Sequence, residues 1–291
     1  METQDLLKRI RRIEIKSKRL SQNIFSGEYR SAFKGRGMSF SEVREYQVGD
    51  DVRDIDWNVT ARYAKPYIKV YEEERELTML LLVDVSESGL FGTSERTKRQ
   101  LIAEVAGTLA FSTITNNDKV GVIFFSDKVE KFIPPGKGRK HILHILSEIL
   151  SLEPQSKGTN LSEALKYANN VQKKQCTLFI LSDFIDESGY DETLNIVSRK
   201  HQVMAMQVYD PKETDLPNVG LLRVRDAESG AITMVDSSSK RIREMYRDYW
   251  LQLTDKMKNA LTKYDINYVS CPTSEDYVPA LQRLFIISNK R

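Results

Sequence analysis

The chain has 291 residues, of which 40% are hydrophobic and 29% are charged, a balance typical of soluble globular proteins. Its formal net charge is only +3, which argues against bulk electrostatic binding of nucleic acid. The N-terminal stretch METQDLLKRIRRIEIKSKRL lacks an apolar core, and no apolar run reaches the roughly 18 residues that span a membrane. The expected localisation is cytoplasmic, or peripheral at the inner membrane.

Residues 4–20 predict an amphipathic helix, because Leu6, Ile10 and Ile13 recur at helical spacing and the other face is rich in Lys and Arg. A membrane-surface helix is one interpretation. A packed helix with a solvated basic face is favoured, since the apolar face carries neither Trp nor Phe.

Residues 27–75 contain glycines that interrupt any helical pattern, and they hold too many aromatic residues for a linker. We expect short strands joined by long loops. The segment 35–65 is predicted to form a small strand-containing subdomain that packs against the following domain, with Trp57 buried.

From residue 76 onward, continuous apolar runs alternate with amphipathic stretches. The predicted strands are LTMLLLV (77–83), KVGVIFFS (119–126), CTLFILSD (176–183), QVMAMQVYD (202–210) and INYVS (266–270). The predicted helices cover 97–114, 139–152, 161–172, 192–200, 240–263 and 275–287, and hairpins are expected at 128–135 and 221–236. This alternation indicates an α/β fold with a doubly wound, mostly parallel sheet.

Oxygen-bearing side chains follow the first of these strands at alternate positions, as Asp84, Ser86 and Ser88 in LLLVDVSESG. Ligands of such sheets bind beyond the carboxyl ends of the strands, and alternate residues of an extended turn point the same way. Thr159 precedes a helix, and Asp183 ends another buried strand. Carboxylates and hydroxyls suit a hard cation such as Mg²⁺ or Mn²⁺, so these five residues are the predicted metal ligands.

The pattern D-x-S-x-S is weak by itself, and each residue has a simpler interpretation. Asp84 and the two serines could cap the next helix. Thr159 or its neighbour Asn160 could be an N-cap, and Asp183 could be a turn residue. The combination of all five positions favours the metal site.

The order Asp84, Ser86, Ser88, Thr159, Asp183 resembles the metal-ion-dependent adhesion site of von Willebrand factor type A domains, over roughly residues 76–287. The resemblance implies that the hydroxyls contact the metal directly and that the aspartates act largely through water or hydrogen bonds. It also implies an open coordination position that takes a carboxylate from a protein partner.

The preceding stretch GRGMSFSEVREYQVGDDVRDIDWNVTAR resembles the hallmark of the bacterial domain-of-unknown-function family fifty-eight. That family joins this signature to a type A domain and is typically encoded beside a MoxR-type AAA+ ATPase, which the resemblance implies as the partner. The expected division is a helix and signature subdomain over 1–75 and a type A-like domain over 76–291. Within the signature, the residues predicted to bind a partner are Arg36, Arg44, Asp54 and Trp57.

An enzyme is the competing class of function. His141 and His144 lie three apart on a helix face, but no set of Cys or carboxylates completes a zinc site with them. Neither a G-x-S-x-G elbow nor the spacing of a P-loop is present. The two cysteines, Cys176 and Cys271, lie beside apolar runs and are predicted to be buried reduced thiols.

The acidic stretch Asp50 to Asp56 offers the best enzymatic alternative, since its four carboxylates could hold a metal for phosphoryl hydrolysis. The simpler interpretation is a solvated network with Arg44, Arg53 and Arg62. We therefore expect a non-enzymatic adaptor that binds an acidic residue of a partner through its metal.

Overall fold

The fold was described from a computed structural model, which covers residues 3–32, 39–63, 65–72, 77–93, 96–156, 158–186, 188–225 and 231–289. The helices are α1 (Thr3–Ala32), α2 (Trp57–Tyr63), α3 (Lys98–Thr115), α4 (Arg139–Ser151), α5 (Leu161–Val171), α6 (Asp191–Lys200), α7 (Lys240–Lys263) and α8 (Tyr277–Asn289). The strands are β1 (Ser39–Glu45), β2 (Tyr67–Glu72), β3 (Thr78–Asp84), β4 (Lys119–Phe125), β5 (Val129–Gly136), β6 (Thr177–Ser182), β7 (Gln202–Tyr209), β8 (Leu221–Arg225), β9 (Ile232–Asp236) and β10 (Asn267–Pro272).

The larger of two compact units contains residues 1–33 and 78–291 and is built on a six-stranded sheet. The strand order is β10-β7-β6-β3-β4-β5, and every neighbouring pair is parallel except β4 and β5, which form the predicted antiparallel hairpin. This arrangement confirms the predicted α/β fold with a mostly parallel sheet.

Strand β3 lies in the middle of the sheet, paired with β4 on one side and β6 on the other. Its run Met79 to Val83 is at most 1% exposed, as expected for a strand covered on both faces. Leu80 and Leu82 belong to a core cluster that includes apolar residues of α5, α6 and α7. Helices α3 and α4 pack together, as do α1 and α3 and α1 and α8.

The predicted N-terminal amphipathic helix is confirmed as part of α1 and packs on α3. Ile10 and Ile13 are buried, whereas Leu7 and Ile15 on the other sides are exposed. At the contact, a Cβ built on Gly107 of α3 would lie 2.8 Å from Cγ2 of Ile13, so the close approach depends on a glycine. These contacts group the helix with the sheet rather than with residues 34–75, unlike the division made from the sequence.

The smaller unit contains residues 34–77 and includes the short strands expected for this segment. Strands β1 and β2 pair antiparallel, a short 3-10 helix covers Val52–Asp54, and an isolated bridge joins Ile55 to Ile68. Among the described helices, none has the length and apolar character that crossing a bilayer requires.

The prediction that Trp57 is buried is wrong, because its side chain is 70% exposed. Trp57 is the first residue of the single short helix α2, none of whose residues is buried. The start of that helix is fixed instead by Asp56, whose carboxylate accepts hydrogen bonds from the backbone N–H groups of Asn58 and Val59.

We expect the Trp57→Ala substitution to change the free energy of unfolding by less than about 0.5 kcal/mol, because exposed positions contribute little. Ile68→Ala in the same unit serves as the matched control, since Ile68 is 5% exposed and its truncation should cost about 2–4 kcal/mol. Denaturant unfolding followed by circular dichroism measures both. Equal losses from the two variants would contradict the assigned exposure of Trp57.

Candidate metal centre

The candidate metal centre lies at the carboxyl end of β3, where the chain order along the sheet changes direction. The chain continues from β3 to β4 on one side, and β6 is later added on the other side. Such a switch point leaves a crevice beyond the strand ends, which is where ligands of open α/β sheets bind. Asp84 ends β3, and Asp183 follows β6 directly.

Asp84 is a buried carboxylate that organises the turn after β3. Its Oδ1 accepts a hydrogen bond of 3.0 Å from the backbone N–H of Ser86, and its Oδ2 accepts one of 2.6 Å from the hydroxyl of Ser182. Burial, together with the nearby charge of Asp183, raises the pKa of Asp84 to about 6. The carboxylates of Asp84 and Asp183 therefore lie near each other in a buried environment.

Asp183 follows β6 and contacts the turn after β3. Its Oδ2 accepts a hydrogen bond of 2.8 Å from the Ser88 hydroxyl, and the hydroxyls of Ser86 and Ser88 are 3.0 Å apart. The next residue, Phe184, has a φ of +61°, in the left-handed region that non-glycine residues seldom adopt. That backbone conformation turns the chain sharply after Asp183, and Ser182 supports it by accepting from the N–H of Phe184.

Thr159 lies in the loop before α5 and is 9% exposed. The N–H of its neighbour Asn160 donates to the carbonyl of Ser126, just beyond β4, and the N–H of Leu161 donates to Asp186, just beyond β6. The loop is thus tied to the ends of both strands that flank β3. The Thr159 hydroxyl makes no hydrogen bond to any residue that the structure describes.

The capping alternatives do not account for these side chains. Helix α3 is capped by Thr97, whose hydroxyl accepts from the N–H of Gln100, and not by Asp84 or the serines. Helix α5 is capped by Asn160, which accepts from the N–H of Glu163. Thr159 is therefore not used as a cap.

We call Asp84, Ser86, Ser88, Thr159 and Asp183 the oxygen cluster. Its chemistry fits a hard divalent cation, because carboxylate and hydroxyl oxygens are the ligands that Mg²⁺ and Mn²⁺ take. Burial first, and then the charge of Asp183, raises the pKa of Asp84, so a bound cation would stabilise both carboxylates in their ionised form. The Thr159 hydroxyl, in the loop before α5, supplies a further oxygen at the same edge. No His or Cys of the described chain joins these residues in a group of metal-binding side chains.

A buried lysine, which the sequence interpretation missed, touches the oxygen cluster. The ammonium of Lys98 lies 2.8 Å from Oδ2 of Asp183 and 2.6 Å from Oε1 of Glu213, and Lys98 is 1% exposed. Burial acts to raise the pKa of Asp183, but the charge and hydrogen bond of Lys98 hold it below its ordinary value. Burial acts to lower the pKa of Lys98, but the two carboxylates raise it.

The signal for this lysine was available in the sequence. Helix α3 is apolar around almost its whole circumference, which is typical of a buried helix. The charges of Lys98 and Arg99 at its beginning therefore had to be paired inside the protein. Ser182 was also missed, although it is the polar residue that ends the apolar run CTLFIL.

Asp210, just after β7, joins three loops at this edge of the sheet. It accepts hydrogen bonds from the N–H and hydroxyl of Thr93, from the N–H of Lys212 and from the hydroxyl of Thr273. Burial acts to raise the pKa of Asp210, but these donors lower it below its ordinary value. The carboxylate is fully buried, so the loops are held together by its ionised form.

We expect Asp210→Asn to lower the free energy of unfolding at pH 7 by about 1–3 kcal/mol, because it leaves buried donors poorly paired. A lowered folded-state pKa stabilises the fold above the ordinary value of about 4, and this stabilisation is lost as the pH falls through the folded pKa. The difference between variant and parent should therefore shrink between pH 5 and about pH 2. Denaturant titrations across this range test it, and an unchanged difference would contradict the role of the ionised form.

Three of the four predicted partner-binding residues lie in the described structure, all in the smaller unit. Arg36 lies outside the described residues. Arg44 in β1 pairs with Asp50 at 2.8 Å, and Asp54 ends the short 3-10 helix. Trp57 is exposed at the start of α2.

The four carboxylates between Asp50 and Asp56 do not gather into a metal-binding group, as far as the described residues extend. Asp50 pairs with Arg44 and Asp51 with Arg53, as the network interpretation predicts. The remaining pairing differs, because Asp56 lies 3.6 Å from Lys69 rather than beside Arg62. The hydrolase alternative has no support in this arrangement.

The histidines and cysteines have structural contacts. His141 contacts the carbonyl of Val120 through Nε2 at 2.8 Å, and His144 is exposed near Glu148. Cys176 and Cys271 are both buried and free, as predicted. Cys176 contacts the buried ring of His201 at 3.3 Å, and burial raises its pKa to about 12, so the thiol stays protonated.

The six-stranded sheet, parallel except at the β4–β5 edge, defines an α/β protein with a mostly parallel sheet. The fold matches the crystal structure of an aerotolerance-related membrane protein from Bacteroides fragilis NCTC 9343 with a TM-score of 0.51. That match has 16% identity and covers 74% of this chain and 98% of the other. The SpRpn10 von Willebrand factor type A domain also matches, with a TM-score of 0.39 and 13% identity over 71% of this chain and 94% of that domain.

Residues 42–253 match the family described as Protein of unknown function DUF58, and the chain belongs to this family. It is also 30% identical over 225 residues to the uncharacterized protein Rv1480 of Mycobacterium tuberculosis H37Rv. This match covers 77% of the chain and 71% of that relative. The family prediction made from the signature stretch is thereby confirmed.

Proposed function

We propose that this chain is a non-enzymatic protein-interaction module that binds an acidic residue of a partner through Mg²⁺ or Mn²⁺ at the oxygen cluster. The observation that carries the proposal is the convergence of two buried carboxylates and two serine hydroxyls at the end of β3, beside the loop of Thr159. Ser86, Ser88 and Thr159 would hold the ion directly, and Asp84 and Asp183 would supply its negative counter-charge. The bound ion would offer a positive charge to an incoming carboxylate.

Several contacts favour binding over catalysis at this place. The carboxylates accept hydrogen bonds from Ser86, Ser182 and Lys98, and no histidine stands beside them in the described residues. His201, which could have served as an acid or base, is buried beside Cys176 at the opposite end of β6. The family resemblance adds the expected partner, a MoxR-type AAA+ ATPase.

The open coordination position is tested directly with Mn²⁺, which relaxes the protons of its exchangeable water ligands. We would titrate the Mn²⁺-loaded chain with a short capped peptide in which one Glu is the only carboxylate. The proposal predicts that water-proton relaxation falls as the carboxylate displaces a water, and that the matched Gln peptide has no effect. Identical responses to the two peptides would overturn the carboxylate bridge.

A further inference from the structure

Lys98 occupies a position that helix electrostatics disfavour. It is the first residue of α3, directly after the N-cap Thr97. The N-terminus of a helix carries a partial positive charge, so a cation there is repelled. Burial adds a desolvation cost, since the side chain is 1% exposed. Lys98 is therefore held by its two carboxylate partners, Asp183 at 2.8 Å and Glu213 at 2.6 Å.

These two carboxylates come from different parts of the site. Asp183 belongs to the oxygen cluster and also accepts from Ser88. Glu213 belongs to the 3-10 helix Pro211–Glu213 after β7, where its second oxygen accepts from the N–H of Asp210. Glu213 is thus fixed independently of the oxygen cluster, and it can keep the ammonium when Asp183 is engaged elsewhere.

We propose that Lys98 is a resident cation that competes with the divalent metal for Asp183, with Glu213 as the carboxylate that retains the ammonium when the metal is bound. This inference rests on the proposed metal site. Its physical basis is electrostatic. An ammonium and a metal ion at the same buried carboxylate repel each other, and the repulsion is screened little where water is excluded. Lys98 weakens metal binding, and Glu213 offsets that effect.

One consequence is that the metal is held weakly until another anion arrives. A partner's carboxylate supplies that anion, so metal and partner should each bind more tightly in the presence of the other. Because of Lys98, tight binding therefore requires both the metal ion and the partner's carboxylate.

The test compares Mg²⁺ affinity, measured by calorimetry at neutral pH, in variants expected to change it in opposite directions. Lys98→Met should bind Mg²⁺ at least about tenfold more tightly than the parent. A tenfold gain in affinity requires the removal of only about 1.4 kcal/mol of repulsion between the ammonium and the metal ion. Glu213→Gln should bind it several-fold more weakly, because the ammonium is then left to Asp183 alone. Lys16→Met is the control, since Lys16 pairs with Glu104 on the α1–α3 surface and should leave the affinity unchanged.

The double variant Lys98→Met/Glu213→Gln separates this coupling from a simple loss of negative charge. If Glu213 acts through the ammonium, the double variant should bind Mg²⁺ nearly as tightly as Lys98→Met. If Glu213→Gln lowers the affinity equally in both backgrounds, the proposed role of Glu213 is overturned. Should Lys98→Met fold poorly without metal, its stabilisation by Mg²⁺ in thermal unfolding should exceed that of the parent, and an equal or smaller stabilisation would count against the proposal.

The outcomes also separate this inference from the proposed function. Mg²⁺ binding by the parent without any gain in Lys98→Met would leave the metal site standing and overturn the role of Lys98. Binding by Lys98→Met but not by the parent would support the competition strongly. An absence of binding in both proteins would overturn the metal site and the inference together.

Discussion

Replacing Asp84 by Ala is expected to lower the affinity for Mg²⁺ by about 10- to 100-fold, the range seen when a group that orients metal ligands is lost. Asp84 supplies one of the two buried carboxylates and fixes the turn by accepting from Ser86 and Ser182. Its removal therefore takes away a counter-charge and loosens a hydroxyl ligand together. Calorimetric titration with Mg²⁺ measures the change.

The matched control for this substitution is Asp248→Ala, because Asp248 is an exposed aspartate of α7. It should bind Mg²⁺ as the parent does. In EDTA, Asp84→Ala should unfold at a lower temperature than Asp248→Ala, because it leaves the buried Ser86 N–H and Ser182 hydroxyl without their acceptor. Equal heats of Mg²⁺ binding from the parent and Asp84→Ala would rule out the oxygen cluster as the metal site.

The second large effect concerns the interface at which α1 packs on α3. Gly107→Leu is expected to lower the free energy of unfolding by about 3 kcal/mol, at the upper end of the usual cost of overpacking. The reason is that even a Cβ would meet Cγ2 of Ile13 at 2.8 Å and Cδ2 of Leu146 at 3.3 Å. Both contacts are apolar side chains in a closed interface, and the β-branched Ile13 has little rotamer freedom in a helix.

The substitution Ile13→Ala should partly compensate for Gly107→Leu, which tests the contact between these two residues specifically. Ile13→Ala alone should also destabilise the protein, by about 2–4 kcal/mol, because it empties a buried position. In the double variant the added leucine side chain fills the space that Ile13 leaves, so the combined loss should be smaller than the sum. Denaturant unfolding of the four proteins gives the comparison, and strictly additive losses would contradict the assigned contact between α1 and α3.

Residues 76–291 were the easiest to interpret from the sequence, because the buried strands are continuous apolar runs separated by helical stretches and two hairpins. The runs at 77–83 and 176–183 predict β3 and β6 within two residues, and their polar ends predict the edge at which Asp84 and Asp183 meet. Parallel strands end at one edge of the sheet, so residues far apart in sequence could be placed together without coordinates.

Features that depend on tertiary packing were not predictable in this way. The burial of Trp57 was inferred from residue type, but α2 is a single short helix with no buried residue. The chain position of α1 gave no indication that it packs on α3 near Gly107. The ion pairs of Lys98 with Asp183 and Glu213 join residues more than 80 positions apart, and no local pattern specifies such contacts.

The most direct test of the proposed function is the affinity of the purified chain for a MoxR-type ATPase, the partner that the family resemblance implies, measured in Mg²⁺ and in EDTA. The comparison should include Thr159→Ala, which removes one loop hydroxyl and should leave the fold intact. Its control is Thr193→Ala, whose hydroxyl contacts Ser162 instead. We predict that EDTA and Thr159→Ala each weaken binding at least about tenfold while Thr193→Ala does not. Binding that is unchanged by both EDTA and Thr159→Ala would contradict a metal bridge to the partner.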